Sequence, residues 1–268
     1  MTPFEATLWA AVSVVVFAAA LQGALRILPS LPSDSAAQSL CQVVVYLVLL
    51  VLLQTVYFSK TRPRLVFATG AGPWVFYPIA ALLGIAIHLP TDAIYDAALA
   101  RWPDTTPASE IFRTFAAQPA WRKVATGVGL IVTTPLVEEA LFRGALFGTL
   151  RRRNDALTVV VVTAILFAFV HIQPQAFVPI GIVGAALAFL RVASGSIWPS
   201  FIAHATFNAV TFFALAGAFG ADVATSEGPL PTALVVGGTV VTAGLLAFTD
   251  HLRVRLQKAT PSPEQEPS

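Results

Sequence analysis

The sequence predicts an all-α polytopic membrane protein, a bundle of about eight transmembrane helices, and two observations carry that prediction. Hydrophobic residues make up 56% of the 268 residues and only 11% are charged, against roughly 25% in ordinary globular chains. The apolar residues also fall in runs close to the ~20 that cross a bilayer, and the mean hydropathy is +0.76. A soluble fold of this size could not bury so much apolar surface. Nucleic-acid binders, cytosolic nucleotide enzymes and secreted disulfide scaffolds are disfavoured together. The net charge is only +2, and Cys41 is the single cysteine.

Phe4–Leu28 is the first predicted span; its start carries Glu5 and no basic residue, unlike a signal peptide. Ala37–Phe58 and Pro73–Pro90 follow. Thr91–Lys123 is more polar, with Asp92, Asp96, Arg101, Asp104, Glu110 and Arg113. Its later part sets Ile111, Phe112, Phe115 and Trp121 beside Arg122 and Lys123, a composition suited to a helix lying in the membrane interface. Val124–Leu150, Ala156–Ile172 and Gln175–Leu190 are the fourth to sixth spans, the last two joined by a tight turn at Gln173–Pro174. Ser196–Phe219 and Pro231–Thr249 complete the set, and Pro261–Ser268 has the composition of a disordered tail. The chain thus divides into N-terminal helices with an interfacial segment (1–123), a core (124–219), and a last helix with its tail (220–268).

Basic residues set the expected orientation. Lys60, Arg62 and Arg64 follow the second span, and Arg151, Arg152 and Arg153 the fourth. Arg191 follows the sixth, and Arg253, Arg255 and Lys258 the eighth. The opposite loops carry fewer basic residues, mixed with acids, so the positive-inside rule puts both termini in the cytoplasm. Arginine outnumbers lysine 13 to 3, a bias that fits a GC-rich bacterial genome and hence a bacterial cytoplasmic membrane. Arg143 is the one basic residue inside a span.

Charge inside hydrocarbon costs roughly 2.5–3.5 kcal/mol per group and marks a functional site by default. The fourth span concentrates three such groups, Glu138, Glu139 and Arg143. Glu139 and Arg143 stand at i,i+4 with the acid first, the favourable order for a helical ion pair. Glu138 projects about 100° away round the helix, free to act as a general base. The plainer alternative is a buried ion pair that holds helices together, although a second carboxylate has no part in that. Pro135 cannot donate to the Ile131 carbonyl and opens the helix locally. Two further spans each carry a histidine: Phe167-x-x-x-His171 and His204-x-x-x-Asn208, each one helical turn long.

In order, Glu138-Glu139-x-x-x-Arg143, Phe167-x-x-x-His171 and His204-x-x-x-Asn208 resemble the three signature motifs of the CPBP family. These are the CAAX proteases and bacteriocin-processing enzymes, also called ABI or type II CAAX prenyl endopeptidase Rce1-like proteins. The resemblance runs from about Val124 to Phe219, with no departure at a motif position. It implies intramembrane hydrolysis of a peptide bond in a membrane-associated protein or peptide. In that scheme Glu138 and His171 activate a water. His204 and Asn208 donate to the carbonyl oxygen as it becomes negative, while Glu139 and Arg143 orient the site. No cofactor is expected. The zinc-dependent alternative would use Glu138, His171 and His204 as ligands, although Arg143 beside the carboxylates disfavours a dication. Ser194, Ser196 and Ser200 lack an Asp–His partnership, against a serine mechanism.

A proton-coupled transporter would also place Glu, His and Arg in the membrane, but no internal repeat is found. A silent scaffold or immunity protein is the other non-enzymatic alternative. The expected partners are the bilayer and a peptide substrate, without nucleic acid. A bacterium has no ordinary prenylated CAAX pool, so the substrate is expected to lie elsewhere. Gly144-x-x-x-Gly148, Gly181 and Gly184 read as close helix packing, His88 as interfacial and His251 as solvated.

Overall fold

The computed structural model describes residues 1–27, 35–58, 67–103, 108–219 and 230–259. Lys60, Arg62, Arg64, Asp104 and the tail Pro261–Ser268 lie outside them. The regular elements among the described residues are all helices, without a strand: α1 (Pro3–Ile27), α2 (Ser35–Phe58), α3 (Phe76–Ala86), α4 (His88–Leu99), α5 (Ala108–Ala116) and α6 (Ala120–Leu150), followed by α7 (Ala156–Phe169), α8 (Phe177–Ser194), α9 (Ile197–Leu215) and α10 (Thr232–Ala259). Among the described residues, six helices are long and apolar enough to cross a bilayer: α1, α2, the joined α3–α4, α6, α8 and α10. At 14 residues, α7 is apolar but short. The 19-residue α9 has the length, while its polar His204 and Asn208 lower its hydropathy.

Several boundaries differ from the sequence expectation, each for a local reason. The third span does not stop at Pro90, because Pro90 falls in the first turn of α4, where a missing N–H costs nothing. Asp92 and Asp96 therefore sit on a helix. The expected interfacial helix is divided. Ile111, Phe112 and Phe115 belong to α5, and Pro119 then N-caps α6, whose first turn holds Trp121, Arg122 and Lys123. The last helix runs on to Ala259, carrying Asp250, His251, Arg253, Arg255 and Lys258 on its final turns. Asp155 caps α7 through Thr158 N–H at 2.9 Å and the Thr158 hydroxyl at 2.6 Å, and those donors hold its carboxyl below the usual range.

Two apolar clusters fill the bundle. One joins α1, α2, α6 and α7 through Ala10, Leu49, Leu53, Phe142, Leu146 and Phe167. The other joins α3, α8 and α9 through Leu83, Val183, Leu187 and Ala203. Glycines allow the close approaches: a Cβ at Gly184 would press on the Ala164 backbone of α7, and one at Gly84 would strike the Ala203 carbonyl of α9. Gly144 instead faces Phe67, so only part of the expected glycine stripe packs helix on helix. The turn between α8 and α9 is tied down: Gly195 takes φ 70°, Ser196 Oγ donates to Gly70 O at 2.6 Å, and Trp198 Nε1 donates to Thr69 O at 3.0 Å.

Candidate active site

The polar groups collect where the two apolar clusters meet, on α6 and the helices beside it. α6 packs against α2 on one side and α9 on the other, and half of its apolar window is buried. It is one helix with two π-helical stretches, Gly129–Thr133 and Ala140–Leu146, bracketing the turn that holds the glutamates. The first lies just before Pro135, where the missing N–H was expected to open the helix. In it, Thr134 N–H turns to Gly129 O, and the neighbouring Leu130 carbonyl accepts Asn208 Nδ2 at 2.8 Å. In the second, Phe147 N–H reaches Phe142 O, and the Arg143 carbonyl accepts Arg191 Nε at 3.2 Å. Each wide turn thus offers a carbonyl to a side chain from α8 or α9.

Glu139 and Arg143 have no exposed surface, and Glu138 and His204 have almost none. Arg143 donates one terminal nitrogen to Glu139 Oε1 at 2.9 Å and the other to the Gly184 carbonyl at 2.9 Å. Glu139 Oε1 also meets His204 Nδ1 at 2.9 Å. A carboxylate paired with arginine can only accept, so His204 presents Nδ1–H to it and leaves Nε2 facing the other acid. That nitrogen stands 3.6 Å from Glu138 Oε2. One imidazole is therefore clamped between two carboxylates, and the Arg143 guanidinium hydrogen-bonds to one of them, Glu139. Among the described residues Glu139 Oε2 has no hydrogen-bond partner.

Phe167 organises the remaining groups. Its ring takes the Arg143 guanidinium on its face at 4.4 Å and meets the rings of His171 and His204 edge-on at 5.0 and 5.6 Å. His171 lies just beyond the end of α7 rather than within it, with Nδ1 2.7 Å from Phe167 O. Glu138, Glu139, Arg143 and His204 are thus in direct contact. His171 joins them through Phe167, and Asn208 lies one turn further along α9, holding the α6 backbone.

The sequence reading missed Gln42. It stands on α2, and its Nε2 donates to Glu138 Oε1 at 2.6 Å. An amide inside the apolar run Leu40–Tyr57 was the available signal. His88 is buried among protein side chains. Its Nε2 lies 2.7 Å from Phe207 O and its ring stacks on Phe207 at 3.9 Å, a helix-to-helix contact of α4 with α9. His251 is exposed, as read.

A zinc site is the alternative that the sequence left open. Glu138, His171 and His204 would have to converge, yet no three His, Cys, Asp or Glu side chains do so among the described residues. His204 already spends one nitrogen on Glu139, and a guanidinium occupies the ground beside the carboxylates.

Comparison with known proteins adds one finding. Residues 119–210 match the family model described as Type II CAAX prenyl endopeptidase Rce1-like, a span of about a third of the chain that contains every site residue named above except Gln42. No curated protein and no solved structure matches the chain.

Proposed function

We propose that this chain, an integral membrane protein whose residues 119–210 match the Rce1-like CAAX prenyl endopeptidase model, is a glutamate-dependent intramembrane endopeptidase. The observation that carries the reading is the asymmetry of the two buried glutamates. Glu139 is neutralised by Arg143 and spends itself orienting His204, whereas among the described residues Glu138 hydrogen-bonds to the Gln42 amide and faces the edge of His204. A carboxylate so placed accepts a proton from water. The resulting hydroxide adds to the scissile carbonyl, the C–N bond breaks, and the proton passes to the leaving amine. His171 is the second group assigned to the water. Asn208, through its second amide hydrogen, and His204, through Nε2 when both ring nitrogens carry a proton, are assigned to the carbonyl oxygen, where donors matter most as charge develops. Phe167 and Gln42 position these groups and touch no reacting atom.

The substrate in this reading is a membrane-associated protein or peptide, reached within or at the edge of the bilayer. The basic ends of α6, α8 and α10 support an orientation with both termini in the cytoplasm, and the arginine-rich composition supports a bacterial inner membrane.

Glu138→Gln keeps the shape and the Gln42 contact while removing the base. Processing in cells should fall at least ~100-fold, and the uncleaved substrate should accumulate in membrane proteomes compared with wild type. Unchanged processing by a normally inserted variant overturns the reading. Exhaustive chelation of the purified protein should leave cleavage intact. Complete loss that zinc restores would assign the chemistry to a metal instead.

A further inference from the structure

Outside the active site, the strongest concentration of charge is a pocket of about 450 Å³ at the end of the bundle where α6, α8 and α10 finish and α7 begins. Its walls carry Arg151, Arg152, Arg191 and Arg253, with Gln257, and no acidic side chain lines it among the described residues. One nearby carboxylate, that of Asp250, offsets one of these arginines. Asp250 binds Arg253 at 2.7 Å, and Asp155 caps α7 through Thr158. Arg151 donates to the Asn154 carbonyl, and Arg191 to the Arg143 carbonyl with its guanidinium 5.1 Å from the Phe147 ring. Guanidinium groups brought round one cavity repel one another, and an anion relieves that repulsion.

We propose that this pocket binds the phosphate headgroup of an anionic phospholipid. Guanidinium pairs are the residues of choice for phosphate oxygens. The volume lies within the range of small-ligand sites. The remaining wall, Phe147, Gly148, Ala156 and Val192, is apolar, which a free phosphate ion would leave unused and the glycerol end of a lipid would cover. The place agrees as well, because Arg151 and Arg152 immediately follow the apolar run of α6, at the depth where headgroups lie. A headgroup held there sits one side chain, Arg191, from the carbonyl of Arg143, so the site touches the backbone that carries the ion pair. The proposal concerns binding and stands whether or not the protein is a protease.

Native mass spectrometry of the full chain in detergent tests it, with phosphatidylglycerol and phosphatidylcholine of matched acyl chains and inorganic phosphate as competitor. Phosphatidylglycerol should remain bound where phosphatidylcholine is stripped. Each basic residue at an anionic surface is worth about fivefold in binding, so Arg151→Gln with Arg152→Gln should weaken retention about 25-fold. Arg255→Gln, exposed on α10 outside the pocket, should change nothing. If the double variant does not fold, Arg253→Gln carries the test with a loss of about fivefold. Equal retention of the two lipids, or retention unaffected by the pocket variants, overturns the proposal. Displacement of the lipid by millimolar inorganic phosphate does so too, reassigning the pocket to the free ion.

Discussion

Two helices of similar length meet the membrane in opposite ways. α6 has 31 residues with half of its apolar window buried; α10 has 28 with 17% buried. α10 keeps its charges at one end, from Asp250 onward, and is α-helical throughout. α6 places two carboxylates and a guanidinium in its middle and widens twice into π turns. The difference is in the surroundings. Around α6 a neighbouring helix supplies a partner for each irregular or charged group: Gln42 from α2, the Gly184 carbonyl and Arg191 from α8, His204 and Asn208 from α9. A helix turned towards lipid has no such partners, so its backbone bonds must close within the helix. The charges of α6 are affordable only because protein surrounds them.

The strongest way to break this contrast is to remove one partner of the buried pair. Arg143→Leu leaves Glu139 without its counter-charge and the Gly184 carbonyl without its donor. Loss of one member of a buried ion pair costs about 3–5 kcal/mol, and thermal unfolding in detergent should show a large drop in Tm. Adding Glu139→Gln to Arg143→Leu should recover part of the loss, because the buried group no longer carries charge. A single variant as stable as wild type would mean that water reaches the pair and that α6 is not enclosed as described.

Next in size is the packing beside the site. At Gly84 of α3 a methyl group would meet the Ala203 carbonyl and, at 3.0 Å, the Thr206 side chain, both on the helix that carries His204. Backbone cannot give way as a side chain can, so Gly84→Ala should cost about 1–3 kcal/mol by the same unfolding measurement. It should also lower activity by shifting α9.

How much of this was legible beforehand follows from the range of each interaction. The helical class and the spans rest on composition and run length, which are local. The i,i+4 pair of Glu139 and Arg143 is equally local, and the structure joins the two at 2.9 Å. The partners of that pair are separated in sequence by 41 residues for Gly184 and 65 for His204, so no periodicity could reveal them. Gln42, 96 residues from Glu138, was invisible for the same reason, although an amide in an apolar run, here Gln42 and Gln54, is a usable flag. Asn208 was read as a donor to substrate. Its contact with Leu130 depends on a π turn whose place Pro135 only hinted at. His171 was placed within a helix because apolar residues run up to it, whereas the backbone turns after Phe169 and Ile172 takes φ 54°.

The smallest effect has the opposite sign and tests the contrast from the lipid side. Gly237 on α10 is exposed, and a methyl group there meets nothing within 4 Å. Glycine within a helix loses more backbone entropy on ordering than alanine, so Gly237→Ala should stabilise the protein by no more than about 1 kcal/mol. The same chemical change would then destabilise at Gly84 and stabilise at Gly237, and only the neighbours differ. Loss of stability at Gly237 would show that this face of α10 is covered by a partner, another helix or a second copy of the chain. The face would then be an interface rather than a surface for lipid, and the two helices would differ less than their burial implies.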